Sequence, residues 1–168
     1  MFDTELERRV RMPDAPTLNE KLLDRTLQQI VDDPASWNQG DWCRVRLSKV
    51  PAAVVTGDVA LCGTTACLAG HALLQSGQYQ LQYVGISRQG DSVVHAGVQF
   101  YDLQGHSVYD GGSIETTAGD LLGWTKGEAS YLFSTAGGSP VEFCAMVRAY
   151  LGLPPKTYTP SPMAKASA

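Results

Sequence analysis

The 168-residue chain is short of charge, of histidine and of long apolar runs, and each shortage excludes something. Charged residues make up 18% of the sequence, and the formal net charge is −4. Thirteen Lys and Arg against seventeen Asp and Glu leave no positive excess to coat a nucleic-acid backbone. Eight of those thirteen cations fall in the first 49 residues, but nine acids share that stretch, so it reads as a solvated face. No Asp, Glu, Lys or Arg lies between Val59 and Ser87, yet the unbroken apolar piece there runs only from Ala66 to Leu74 and includes Gly70 and His71. A membrane span needs roughly 20 mostly apolar residues, so a buried segment of one domain is expected instead. There is no Cys-x-x-Cys knuckle, no Gly-rich phosphate loop and no internal repeat.

What is present suits one packed core: 43% hydrophobic residues in a length typical of a single domain. The first residues, Met1 to Glu7, are acidic where a secretory signal is basic. The expected location is therefore the cytoplasm, where the four cysteines stay reduced.

Local signals place the elements. Thr17 to Glu20 reads as a capping box, followed by Leu18, Leu22, Leu23, Leu27, Ile30 and Val31 at helical spacing, and Pro34 stops the run. This predicts a helix over about 18–32. Arg44 to Leu47 and Pro51 to Thr56 are candidate strands. Thr64 or Thr65 can cap a small-residue helix that Gly77 ends, and its composition marks it as central. Tyr79 to Arg88 and Asp91 to Tyr101 alternate about a Gly90-Asp91 turn, with Leu81, Tyr83, Val94, Val98 and Phe100 as one buried face. His106 to Tyr109 would complete a three-strand meander. Ser113, the Thr125–Glu128 box and the Ser139–Glu142 box open three further helices, the last with Val141, Cys144, Val147 and Leu151 on one face.

The fold class expected is α+β: a small antiparallel β-meander on a central helix, with an N-terminal helix and a helical C-terminal third. The expected organisation is a flexible segment over 1–16, one domain over 17–153 and a disordered, Pro- and Ser-rich tail over 154–168.

Three chemistries compete around Cys62. Cys43, Cys62, Cys67 and His71 form a donor set that zinc accepts, with Cys67 and His71 one helical turn apart. A buried, inert cysteine is the commoner use of that residue type, so no metal is favoured. A thiol hydrolase of papain-like order would use Cys62 as nucleophile at a helix start, His95 as base and Asp102 as orienter, with His106 as a substitute base. An anion pocket would use the amides of Gly63, Thr64 and Thr65 with Arg44 and Arg46 for charge. Trp37 and Trp42 are candidates for a binding surface alongside those arginines, wherever they are exposed. Ala118 to Phe133 has the outline of a helix-turn-helix, but Lys126 faces Glu128 and Asp120 in composition, which suits a structural hairpin rather than a DNA reader.

Trp37-Asn38-Gln39 with Trp42, then Cys62-Gly63-Thr64 with Cys67 and Ala69-Gly70, then Ala118, Leu121-Leu122-Gly123, Thr125, Glu128-Ala129 and Leu132-Phe133 together resemble a group of small proteins encoded by actinobacterial phages and sometimes by their hosts. The resemblance spans about residues 17–152. It implies a phage accessory protein acting in the infected cell's cytoplasm and supplies no catalytic residues. In similar proteins the position of His71 is often Trp, which speaks against a metal there. The expected function is a binding protein that modulates a host or defence component by contact with a host or phage protein or a small anionic ligand. The alternatives are the cysteine hydrolase, a zinc module and a virion component.

Overall fold

The computed structural model describes residues 10–39, 44–45, 64–89, 92–110, 113–135 and 138–162. Among these the chain is α+β, with helix α1 at Glu20–Asp32, a two-residue strand β1 at Arg44–Val45, β2 at Thr64–Thr65 and helix α2 at Leu68–Ser76. Strands β3 (Tyr79–Gln89) and β4 (Ser92–Asp102) follow, then helices α3 (Ile114–Leu122), α4 (Lys126–Ser134) and α5 (Pro140–Tyr150). None of the described helices is long and apolar enough to cross a membrane.

Helix α1 buries Leu22, Leu23, Thr26, Leu27, Ile30 and Val31 along one stripe. Each fully buried Leu or Ile contributes on the order of 1.5–3 kcal/mol, so this stripe and not helix propensity holds α1. The cap is Asn19, not Thr17. Asn19 Oδ1 accepts from the Leu22 amide at 3.2 Å, while the Asn19 backbone N–H donates to Leu122 O at 3.0 Å and Nδ2 donates to Leu121 O at 3.1 Å. One residue therefore serves the free amides opening α1 and the free carbonyls closing α3.

Helix α2 is buried over Leu68 to Leu73 and packs against α1, α3 and β3, which makes it the central helix. It starts later than expected. Thr64–Thr65 is not its first turn but a strand, with Arg44 opposite Thr65 and Val45 opposite Thr64. Ala66 continues the extended path, exchanging backbone bonds with Ser36 O (2.8 Å) and Asn38 N (3.0 Å). Cys67 takes the cap position, and Gly77 closes the helix at φ 71°.

Strands β3 and β4 form a long antiparallel hairpin in which Leu81 faces Phe100 and Tyr83 faces Val98. Leu81 and Phe100 are buried and Val98 packs on the core, as alternation requires. The Gly90-Asp91 turn lies outside the described residues. The third meander strand shrinks to one bridge, Tyr101 with Ser107, because the chain turns at Gly105 (φ 87°) and enters a 3-10 turn at Val108–Asp110 that buries Val108.

The C-terminal helices carry the caps the sequence announces. Ser113 Oγ accepts from Thr116 N, and reciprocal boxes join Thr125 to Glu128 and Ser139 to Glu142. Within α5 the buried residues are Phe143, Cys144, Val147 and Arg148, followed by Leu151, while Val141 is 52% exposed. At 100° per residue Val141 stands about 90° from the centre of that stripe. Helices α3 and α4 pack against one another across the Gly123–Thr125 turn, as a structural hairpin would.

The described parts of the two terminal segments, 10–16 and 154–162, are held by side-chain bonds. Arg11 makes two bonds to the Glu128 carboxylate, at 2.7 and 2.8 Å, and also donates to Pro16 O and Gly123 O. Residues 154–162 run along α1: Tyr158 is buried, its hydroxyl and the Lys156 ammonium donate to Asp24, and Ser161 donates twice to Asp32. Buried Arg148 completes the anchor with bonds to Asp24 Oδ1 (2.9 Å) and Pro154 O (2.8 Å).

Candidate functional site

The open end of the hairpin faces α3 and leaves a cleft of about 570 Å³ between them, within the range that holds a small ligand. Tyr79 and Asp102, opposite one another in the ladder, form one wall with His106, Ser107 and Val108 from the following turn. Thr116, Thr117, Asp120 and Leu121 of α3 form the other.

Asp102 is fixed by its own turn. Oδ1 accepts the backbone N–H groups of Gln104 and His106, each at 2.9 Å, and Oδ2 pairs with His106 Nδ1 at 3.2 Å. The backbone bond from His106 leads the effects that hold the Asp102 carboxyl below its usual range, so it is a carboxylate at neutral pH. Since a carboxylate only accepts, Nδ1 is the donor in this pair, and the imidazole side chain is 73% exposed.

Asp120 differs from Asp102. It is exposed in the last turn of α3, where no basic residue stands, and its carboxylate has no partner among the described residues. A negative charge at the negative end of a helix is disfavoured by about 0.3–1 kcal/mol. Among the described residues the cleft thus carries two carboxylates, an imidazole, three hydroxyl-bearing residues besides Tyr79, and no Lys or Arg in its walls.

The residues singled out from sequence are dispersed. Cys43, Cys62, Gly63, Trp42 and Arg46 lie outside the described residues, as do Pro51 to Thr56. Arg44, Thr64 and Thr65 belong to the β1–β2 ladder, so the expected row of free amides at a helix start is not formed by Thr64 and Thr65. In β4, His95 and Asp102 stand seven residues apart, about 23 Å of extended backbone, so Asp102 does not orient His95. The pair brought together is Asp102 with His106.

His71 is buried at 4% exposure, and its Nε2 meets Ser36 O at 2.9 Å, with Ser36 Oγ at 3.5 Å. Desolvation lowers its pKa, only partly opposed by that bond, so the ring is neutral and donates to the carbonyl. Cys67 is buried at the α2 cap. Among the described residues no three of His, Cys, Asp or Glu stand together as an ion-holding group. Trp37 is not an open surface residue: its ring lies 4.8 Å from Phe143 (centroid to centroid) and Nε1 donates to Gln39 Oε1.

Two residues were missed and could have been found. Gln39 of the Trp-Asn-Gln motif links helices α2 and α4 through its amide. Asp120 announces itself as an acid just before a Leu-Leu-Gly helix end, where bases are the norm. The chain matches no protein-family model, no curated protein and no solved structure.

Proposed function

We propose that the chain is an accessory binding protein that acts by occupancy rather than chemistry, and that the cleft between the hairpin base and α3 is where its ligand sits. The observation that carries this reading is the convergence of Tyr79, the Asp102–Ser107 turn, and Thr116 and Asp120 of α3, three separate segments, on one ligand-sized space. A small anionic ligand fits these walls poorly, since two carboxylates and, among the described residues, no Lys or Arg line them. The resemblance to phage proteins supports the further reading that the protein is phage-encoded, works in the infected cytoplasm and modulates a host or defence component. Native mass spectrometry of the protein captured from infected cells tests it. A bound small molecule that is lost in Thr116→Trp, which fills the cleft, is the expected outcome. An empty native protein whose Thr116→Trp variant still modulates its target would refute occupancy of this cleft.

The runner-up is a cysteine hydrolase, with His106 in place of His95. The Asp102–His106 pair favours it, because a carboxylate on Nδ1 is how a catalytic imidazole is oriented. Selective iodoacetamide labelling of Cys62 at mildly acidic pH would promote this reading, and an inert Cys62 would end it.

A further inference from the structure

We infer that the cleft is selective for a small cation carrying a protonated amine. This rests on the proposed reading of the cleft as a binding site and goes beyond it by naming the ligand's chemistry. The first observation is Asp120: an exposed carboxylate, without a partner among the described residues, set on the cleft wall at the negative end of α3. That unpartnered negative charge favours a cation in front of it. The second is Asp102 on the opposite wall, a carboxylate held by three hydrogen bonds, with no Lys or Arg lining the cleft among the described residues. An anion entering this cleft would meet two like charges.

The cation is an ammonium and not a metal ion. Divalent ions demand several oxygen or nitrogen ligands within about 2.0–2.6 Å of one point, and the described residues contain no such group. An ammonium needs only spaced acceptors. Here they are the two carboxylates and the Thr116 hydroxyl, with Tyr79 as an aromatic wall.

Three four-carbon probes of matched length separate the possibilities: putrescine (a diamine), 1,4-butanediol and succinate. Each is titrated into the full-length, 15N-labelled protein at low ionic strength while the amide resonances of Asp102, His106, Thr116 and Asp120 are followed. Putrescine alone should shift these four in a saturable way. Asp120→Asn should weaken it about tenfold, the effect of losing one partly solvated charge contact. Glu115→Gln, on the same helix but outside the cleft, should stay within twofold, and the amide spectrum itself reports that each variant is folded. If butanediol or succinate binds the same amides as tightly, the ammonium assignment is overturned while the cleft stands as a binding site. If putrescine shifts resonances across the whole acidic surface and ignores Asp120→Asn, it is a diffuse counter-ion and the inference fails. If no probe moves the four amides, the inference and the binding-site reading fall together.

Discussion

Replacing Gln39 tests whether one side-chain amide joins the ends of two helices. Its Nε2 donates to Leu132 O and Phe133 O, both at 3.0 Å, and its Oε1 accepts from Leu68 N and Trp37 Nε1, both at 3.1 Å. The two carbonyls belong to the last turn of α4, whose Tyr131 carbonyl is already served by the Ser134 and Thr135 hydroxyls, and Leu68 N opens α2. Each such bond contributes about 1 kcal/mol net. Gln39 is half-buried, so water replaces part of the loss, and Gln39→Ala should cost about 2–3 kcal/mol. For a chain of this size that lowers Tm by roughly 5–10 °C. Gln39→Glu should be at least as costly at pH 8, because a carboxylate cannot donate to two carbonyls and sits against the negative end of α4. It should recover partly near pH 5 as the new acid is protonated. Urea and thermal unfolding measure both. A Gln39→Ala variant within 2 °C of the parent, or a Gln39→Glu variant of equal stability at pH 8, would refute the link.

Gly77 and Gly123 have the same left-handed backbone, at φ 71° and 68°, but a Cβ on Gly77 meets open space while one on Gly123 would lie 1.9 Å from Thr17 O. Gly77→Ala should therefore cost about 1 kcal/mol in chemical denaturation, Gly123→Ala about 3 kcal/mol or more, and equal costs would show that the α1–α3 approach is loose. Burial holds His71 below its ordinary value, so the unfolded chain takes up the proton first as pH falls. The stability this gives is complete above the unfolded value of about 6.5 and declines below it, with a slope of up to about 1.4 kcal/mol per pH unit. His71→Gln should flatten the stability curve between pH 6.5 and 5, and an unchanged slope would place the titration elsewhere. At Asp24 desolvation works to raise the pKa, but the Lys156 and Tyr158 hydrogen bonds and Arg148 overcome it and hold the group low. Its contribution is present above about pH 4 and fades as pH falls through the lowered value. Asp24→Asn should cost about 2 kcal/mol near neutral pH by stranding buried Arg148, and should hasten tryptic cutting after Lys156; an unchanged cutting rate would mean that the strand 154–162 does not depend on this anchor.

What was legible in the sequence was whatever neighbouring residues decide among themselves. Ser113, the Thr125–Glu128 and Ser139–Glu142 boxes and Gly123 mark helix ends by chemistry confined to one turn, and those ends stand where the sequence put them. The misplacements have distant causes. Thr17 and Asn19 are both good caps, and the choice falls to Asn19 because the Leu121 and Leu122 carbonyls arrive from a hundred residues away. Thr64 and Thr65 could start a helix, but strand pairing with Arg44 and Val45 and the bonds from Ala66 to the Ser36–Asn38 stretch keep them extended until Cys67. The prolines of the tail predict a loose segment, while residues 154–162 are held because Lys156 and Tyr158 meet an acid 132 and 134 positions earlier. The cleft was invisible for the same reason: Tyr79, Asp102 and Asp120 share no local pattern.

The end of α3 brings these strands of reasoning to one place. Asn19 donates to the carbonyls of Leu121 and Leu122, Arg11 donates to the carbonyl of Gly123, and Gly123 is kept free of a side chain by the backbone of Thr17. The N-terminal segment and α1 thus supply donors and positive charge to that helix end from one side. On the other side, toward the hairpin, the same end presents Asp120 to the cleft with no such donor among the described residues. A purely structural role would be served better by a neutral or basic residue at that position. The asymmetry is therefore one of side chains: the carbonyls of this terminus are satisfied internally and fix α1 against α3, while the Asp120 carboxylate on its other face lines the cleft and takes no part in that anchoring.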